Sequence, residues 1–496
     1  MSLTHLQQLK AGEFTSAYRA SQQQEPITRL QISAQLKEFP REILELADSL
    51  EILDLSNNQL SELPDGFERL VNLRILFLTN NDFEKIPAVI ARCPKLEMIS
   101  FKSNRLTLVD ENVLPIDTRW LILTENSIES LPDSMGQLHR LQKLALAGNQ
   151  LTYLPASMAN CRNLELARLS ANRLAGMPDW IFQLPNLAWL AFSGNDFNRA
   201  SNTSCSSHDS QFLPSQPTVI DVALEDIKLG ELIGEGASGL IYQGDWINQP
   251  LSLIDRQADA VDSIAVKIFK GDVTSDGYPQ DELDCCLRAG EHENLIKVIA
   301  KLGRSESDVT NKCTNECGHK NGKKNDGENK LGLVMELIPK SFYNLGLPPS
   351  LQTCTRDTFE SGADFNINTT AKIIMQMAKT LTHLHDKCIS HGDVYAHNTM
   401  INDQADMLFG DFGAATNLMS LPESQRSAME RIEVRAFGNL LEDMLQLNEP
   451  KTSEEQALYA GLNQLKNQCV GNDVDQRPSF SLVQRRCEEI FQCRTQ

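Results

Sequence analysis

The apolar positions of the N-terminal part of the chain repeat at a nearly constant step. Asn58, Asn81, Asn104, Asn126, Asn149, Asn172 and Asn195 follow one another at 23, 23, 22, 23, 23 and 23 residues. Each closes a Leu-x-x-Leu-x-Leu-x-x-Asn frame, as in Leu50-Glu-Ile-Leu-Asp-Leu-Ser-Asn-Asn58 and Leu141-Gln-Lys-Leu-Ala-Leu-Ala-Gly-Asn149. Most frames continue into an apolar residue and Leu-Pro or a variant of it, at Leu63-Pro64, Ile86-Pro87, Leu131-Pro132 and Leu154-Pro155. A fixed period of this length marks a unit that cannot bury its apolar face alone and therefore stacks on copies of itself. The leucines are assigned to the shared core and the asparagines to backbone groups at each turn. A degenerate unit is expected before these, over Leu30 to Pro40, with Gln35 in the asparagine position.

The period ends near Asn198. From there to Pro217 the chain is rich in Ser, Asn, Gln and Pro with few charges, the pattern of a flexible linker. Beyond it, strand-like and helix-like stretches follow one another: strands over Ile227 to Ile233 and Ile264 to Phe269, a helix over Gln280 to Ala289, and an apolar strand from Leu331 to Ile338. A later helix, Thr370 to Asp386, turns Ile373, Ile374, Met377 and Leu381 to one face. The first 25 residues read as a Gln-rich amphipathic helix (Leu3, Leu6, Leu9) that caps the repeats. The expected division is residues 1–26 as helical cap, 27–197 as solenoid, 198–218 as linker and 219–496 as a second domain.

The second domain carries the chemistry. His391-Gly-Asp-Val-Tyr-Ala-His-Asn398 is followed by Asp411-Phe412-Gly413. An Asp, an Asn five residues on, and a second Asp opening Asp-Phe-Gly form the carboxylate-and-amide set that phosphoryl transfer from Mg-ATP requires. Upstream, Gly234-Glu-Gly-Ala-Ser-Gly239 lies between two strand-like stretches, so its glycines suit a loop folded over phosphates rather than the start of a dinucleotide-binding helix. Lys267 sits within the next strand, and Glu282, with Asp281 and Asp284 as competitors, is the acid chosen to pair with it.

His292-Glu-Asn-Leu295 and Arg477-Pro478 add to these motifs, and residues from about 224 to 492 resemble a eukaryotic-type protein kinase in every major subdomain. The repeats resemble a leucine-rich repeat solenoid. The implied fold class is α/β multidomain: a leucine-rich repeat solenoid followed by a two-lobed protein kinase-like (α+β) domain. The whole chain resembles the soluble leucine-rich repeat-containing protein kinases of bacteria and plants. That resemblance implies transfer of the ATP γ-phosphate to a protein hydroxyl, with Ser or Thr favoured. Asp393 would act on the hydroxyl, Lys267 would hold the α/β-phosphates and Glu282 would orient Lys267. Asn398 and Asp411 would hold Mg²⁺. The ATP site would be formed by Ile233, Gly234, Glu235, Gly236, Ala237, Ser238, Gly239 and Ile241 over the phosphates, with Ala265, Lys267 and Met400 around the nucleotide. Met335, Glu336 and Ile338 would form the hinge.

The sequence also departs from that family. Gly392 stands where most protein kinases have an Arg, and that Arg usually pairs with a phosphate on the activation loop. Tyr395 stands where serine/threonine kinases carry a Lys that stabilises the transferring phosphate. A chain without it needs another cation, from the solenoid or a partner, or has a low basal rate. Only seven residues separate Gly413 from Leu421-Pro-Glu423, little platform for a peptide. Glu433 replaces the usual Asp at the head of Glu433-Val-Arg-Ala-Phe-Gly438. Two alternatives accompany the kinase reading: a pseudokinase scaffold that binds nucleotide and partners, and a kinase for small molecules. Retention of Lys267, Asp393 and Asp411 favours the enzyme.

The variable positions on the concave face of the repeats form two stripes. One reads Ile52, Ile75, Met98, Trp120, Lys143, Leu166 and Trp189; the other reads Asp54, Phe77, Ser100, Ile122, Ala145, Arg168 and Ala191. The large apolar residues of the first mark a binding surface for a protein, either a partner or the chain's own kinase domain. A formal net charge of −20 argues against nucleic acid or an anionic membrane as partner. With no apolar run long enough to span a membrane and scattered cysteines that read as reduced thiols, the expected location is the cytoplasm. Cys313, Cys317 and His319 form a local cluster in a polar insertion over about 304–330, but three ligands fall short of a structural zinc.

Overall fold

The computed structural model describes residues 2–203, 220–236, 238–250, 263–271, 273–274, 276–303 and 331–492. Ala237, most of the expected linker, and the insertion with Cys313, Cys317 and His319 lie outside the described residues.

The periodic region forms one parallel eight-stranded sheet, β1 to β8 in chain order. The strands are Arg29–Gln31, Ile52–Asp54, Ile75–Phe77, Met98–Ser100, Trp120–Ile122, Lys143–Ala145, Leu166–Arg168 and Trp189–Ala191. Arg29 pairs with Ile52, which extends the 23-residue step back over the degenerate first unit. Met98 pairs with Trp120, so the register survives the single 22-residue step. The frame leucines are buried in a continuous core, and the asparagines lie behind the sheet as a ladder. Asn149 accepts from Ile128 N at 3.0 Å and donates to Leu123 O and Leu146 O at 2.9 Å, which ties its own repeat to the one before. An amide at this place satisfies donors and acceptors that a buried turn would otherwise leave unpaired. Pro87, Pro132 and Pro155 open short 3₁₀ turns on the convex side, as Pro87 does for Ala88–Arg92.

The N-terminal cap is two short helices, Ser2–Lys10 and Ser16–Ser21, rather than the single helix expected. Gly12 in the left-handed region breaks the run, and Thr15 caps the second helix. The start of the expected linker is also helical, over Asp196–Thr203, with Asp196 in the first turn where the helix dipole favours a carboxylate.

The second domain has two lobes. Its smaller lobe is a six-stranded sheet built from β9 (Ile220–Val222), β10 (Ile227–Glu235), β11 (Gly239–Trp246), β12 (Ser263–Phe269), β13 (Val298–Leu302) and β14 (Gly332–Glu336). The order is β10-β11-β12-β14-β13-β9, with the helix Pro279–Ala289 completing the lobe. The larger lobe is built on the helices Ile367–Asp386, Glu423–Leu445, Ser453–Cys469 and Phe480–Gln492. Asn366 caps the first of these, and Ile373, Ile374, Met377 and Leu381 lie on its buried face. Among the described residues no helix is long and apolar enough to cross a membrane.

The two halves share cores. Leu418, Leu421, Met429 and Ile432 of the large lobe are buried with the solenoid leucines. Conversely, Leu166, Ala188 and Trp189 are buried with the large-lobe core. Gln425 Nε2 donates to Asp179 Oδ1 at 2.8 Å, Arg435 Nη2 to Asn186 Oδ1 at 2.9 Å and Arg477 Nη2 to Pro185 O at 2.6 Å. The C-terminal end of the concave face, expected from the sequence to bind either a partner or the chain's own kinase domain, is covered by that domain.

Candidate functional site

A cleft of about 490 Å³ lies between the lobes. Its roof is the Gly234–Gly239 loop, where β10 turns into β11, together with Ile233 and Ile241. Glu235, Gly236, Ser238, Ala265, Met335, Glu336, Ile338 and Met400 also line it. Lys267, Glu282, Asn398 and Asp411 reach the same cavity from four different elements. Of the residues assigned to the nucleotide from sequence, Ala237 alone lies outside the described residues.

Strand pairing sets Lys267 opposite Ile241 and Leu333, in the middle of the sheet. Its ammonium meets Glu282 Oε1 and lies 3.3 Å from Asp411 Oδ1. Burial alone would lower the Lys267 pKa, but the carboxylates of Asp411 and Glu282 outweigh it and hold the ammonium charged. Burial would likewise raise Asp411, yet Lys267 and His391 keep its carboxyl below the usual range. The competitors for Lys267 point elsewhere. Asp281 faces Arg199, and burial pushes its carboxyl up to about 6; Asp284 accepts from Gln280.

The loop from His391 to Asn398 is held from behind. Glu433 Oε1 accepts from Gly392 N at 2.6 Å and Ser390 Oγ at 3.0 Å, while Oε2 meets His385 Nε2 at 2.6 Å. The longer acid that replaces the family's Asp thus anchors the loop. Its burial would raise the Glu433 pKa, but His385 and the Gly392 amide overcome that and hold the carboxylate ionised. His391 is fully buried against Phe409, with its Nε2 bonded to Gly410 O at 2.9 Å, and burial lowers its pKa. His397 pairs with Asp357 at 2.6 Å, a contact the sequence did not suggest. Asp393 Oδ2 accepts from Asn398 Nδ2 at 2.7 Å.

Asp393 Oδ1 is taken by Arg168 of β7. The same guanidinium donates from Nε to Asp276 Oδ1 at 3.0 Å and from Nη1 to Gly392 O at 2.9 Å. Beside it, Trp189 stacks on Tyr395 with centroids 4.6 Å apart and donates to Val394 O at 3.1 Å. Gly392 now has a structural reason. Its φ is +72°, and a Cβ there would lie 2.6 Å from Ala414 O and 3.2 Å from Leu190 O of β8. Any larger residue would meet the solenoid. Arg168 was one member of a stripe in the sequence, and its signal was faint: it is flanked across the sheet by the small side chains of Ala145 and Ala191, which leave room for a guanidinium.

The donor set fits the groups that phosphoryl transfer uses. Asn398 and Asp411 offer an amide and a carboxylate to one cavity, the hard oxygen donors suited to Mg²⁺. The glycine-rich roof offers backbone N–H groups to phosphates.

Two lobes around such a cleft, with a strand lysine facing two acids, define a domain of the protein kinase type. Residues 227–437 match the protein tyrosine and serine/threonine kinase family. Residues 48–88 and 117–174 match leucine-rich repeat families. The chain thus carries leucine-rich repeats followed by a protein kinase domain.

Fibroblast growth factor receptor 1 of Pleurodeles waltl is 21% identical over 229 residues, 45% of this chain and 25% of the receptor. Kinase suppressor of Ras 2 of Homo sapiens is 23% identical over 241 residues, 48% of this chain and 20% of its own. A putative serine/threonine-protein kinase/receptor of Acanthamoeba polyphaga mimivirus is 22% identical over 286 residues, 54% of this chain and 14% of its own. The chain therefore spans a quarter or less of each of these relatives. Among solved structures, a leucine-rich repeat protein of Leptospira interrogans is 28% identical, covers 34% of this chain and 49% of its own, and has a TM-score of 0.30.

Proposed function

We propose that the chain is a cytoplasmic protein kinase that moves the γ-phosphate of ATP to a Ser or Thr hydroxyl. The observation that carries this reading is the convergence of Lys267, Glu282, Asn398 and Asp411 on one cleft, with Asp393 bonded to Asn398 at its edge. Lys267, oriented by Glu282, binds the α/β-phosphates. Asp393 orients the acceptor hydroxyl and receives its proton as the oxygen bonds to the γ-phosphorus. Asn398 and Asp411 would hold Mg²⁺, which when bound would offset the charge of the phosphates. The test is magnesium-dependent transfer from γ-labelled ATP by the full chain. Asp393→Ala should reduce it by about three orders of magnitude or more while nucleotide still binds. Transfer by Asp393→Ala within a few-fold of wild type would sink the role given to Asp393, and a wild-type chain without transfer would favour the scaffold alternative.

A second reading keeps the chemistry and changes the acceptor to a small molecule. Its support is Trp189, which lies flat on Tyr395 and covers that part of the catalytic loop. Parallel assays with protein acceptors and with small alcohols or aminoglycosides separate the two.

A further inference from the structure

Phosphoryl transfer spreads negative charge over oxygens close to the catalytic carboxylate, and a cation placed there in advance stabilises it. From His391 to Glu423, through the catalytic loop, Asp-Phe-Gly and the short segment after it, this chain has no Lys or Arg. His391 is buried on Gly410 O, and His397 is tied to Asp357. Lys267 is paired with Glu282 and Asp411. The position of Tyr395 is filled by a ring stacked under Trp189.

The cation that does reach Asp393 comes from the solenoid. Arg168 is buried, and two of its contacts, Asp276 and Gly392 O, fix the guanidinium without help from Asp393. The three bonds use three of its five N–H groups, which leaves donors on the Nη atoms for another oxygen ligand. Its partners also join the lobes, since Asp276 precedes the helix that bears Glu282 and Gly392 belongs to the catalytic loop. The same helix entry is also held by the helix that follows the solenoid: Arg199 lies over the Tyr278 ring at 4.4 Å.

We propose that Arg168 is a catalytic residue, an arginine supplied in cis by the leucine-rich repeats that binds the γ-phosphoryl oxygens during transfer. The role rests on the kinase reading above. In the step, the acceptor oxygen bonds to the γ-phosphorus and the bond to the β,γ-bridging oxygen breaks. ADP departs with that electron pair, and the hydroxyl proton passes to Asp393. Arg168 stays protonated throughout and contributes charge alone. The solenoid is then one wall of the active site.

The experiment uses the full chain with γ-labelled Mg-ATP, scoring transfer to added acceptors and to the chain itself. Arg168→Ala should lower kcat roughly a hundredfold or more, with nucleotide Kd near wild type. Millimolar ethylguanidinium should restore part of the loss, a response that a purely structural role would not give. If Arg168→Ala does not fold, Arg168→Lys must exceed Arg168→Gln by at least about tenfold. Unchanged kcat overturns the proposal, and so does a rise in turnover, which would make the contact an inhibitory lock. A wild-type chain that transfers phosphate to nothing sinks the kinase reading itself. An active wild type matched by Arg168→Ala sinks only the role of Arg168.

Discussion

The two ends of the concave sheet share one scaffold and face different surroundings. At β2 and β3, Ile52, Asp54 and Phe77 remain partly open. At β7 and β8, Leu166, Arg168, Trp189 and Ala191 are buried. The repeat is the same at both ends, with the same Leu frame and the same Asn ladder. What differs is the set of positions the frame leaves free. A repeat architecture separates stability from recognition in this way: core positions are bound by the period, and surface positions are available to meet a neighbour. Here the neighbour is the larger lobe of the same chain's kinase domain.

The largest break in that comparison should come from Trp189. Trp189→Ser removes a buried ring, its stack on Tyr395 and its bond to Val394 O. It should cost about 3 to 5 kcal/mol in denaturant unfolding and depress phosphate transfer. Ile52→Ser at the open end should cost under about 1 kcal/mol. Equal effects at the two ends would show that the covered end is not a distinct junction.

Gly392→Ala probes the same contact from the kinase side. The left-handed backbone and the close approach of Ala414 O and Leu190 O predict a loss of about 2 kcal/mol or more, read as a lower Tm. An Ala variant as stable and active as wild type would mean that the glycine is not required by docking.

The His397–Asp357 pair gives a pH-dependent contrast. Burial would lower the His397 pKa, but the bond and charge of Asp357 raise it above its ordinary 6.5. A folded pKa above the unfolded one stabilises most below the unfolded value and is lost as pH rises through the folded value. The Tm gap between wild type and His397→Asn should therefore be widest below 6.5 and should shrink as pH rises above it. A gap that widens with pH would contradict the assignment.

The smallest effect expected is none. With Gly392 in place of an arginine and so short a segment after Gly413, an activating phosphate has no cation waiting for it on the catalytic loop. Phosphatase treatment should leave turnover unchanged. A large loss, restored by preincubation with ATP, would show that the segment is switched by phosphorylation.

The sequence by itself determined the repeats, because a 23-residue step is a local property repeated until chance is excluded, and each Asn bonds only to its own and adjacent turns. It also picked out Lys267, Asn398 and Asp411, which the fold brings to one cleft. Lys267, Asp393, Asn398 and Asp411 stand at spacings dictated by strand and loop geometry, so their types and order reveal them. The sequence favours Glu282 over Asp281 and Asp284, and the fold turns it to Lys267. Arg168 needed more. It lies 225 residues from Asp393 in the chain, and nothing near it in the sequence hints at a carboxylate partner. Only the docking of one domain on the other decides which solenoid side chains enter the site, because that docking depends on the fit of two whole surfaces and not on any period within either.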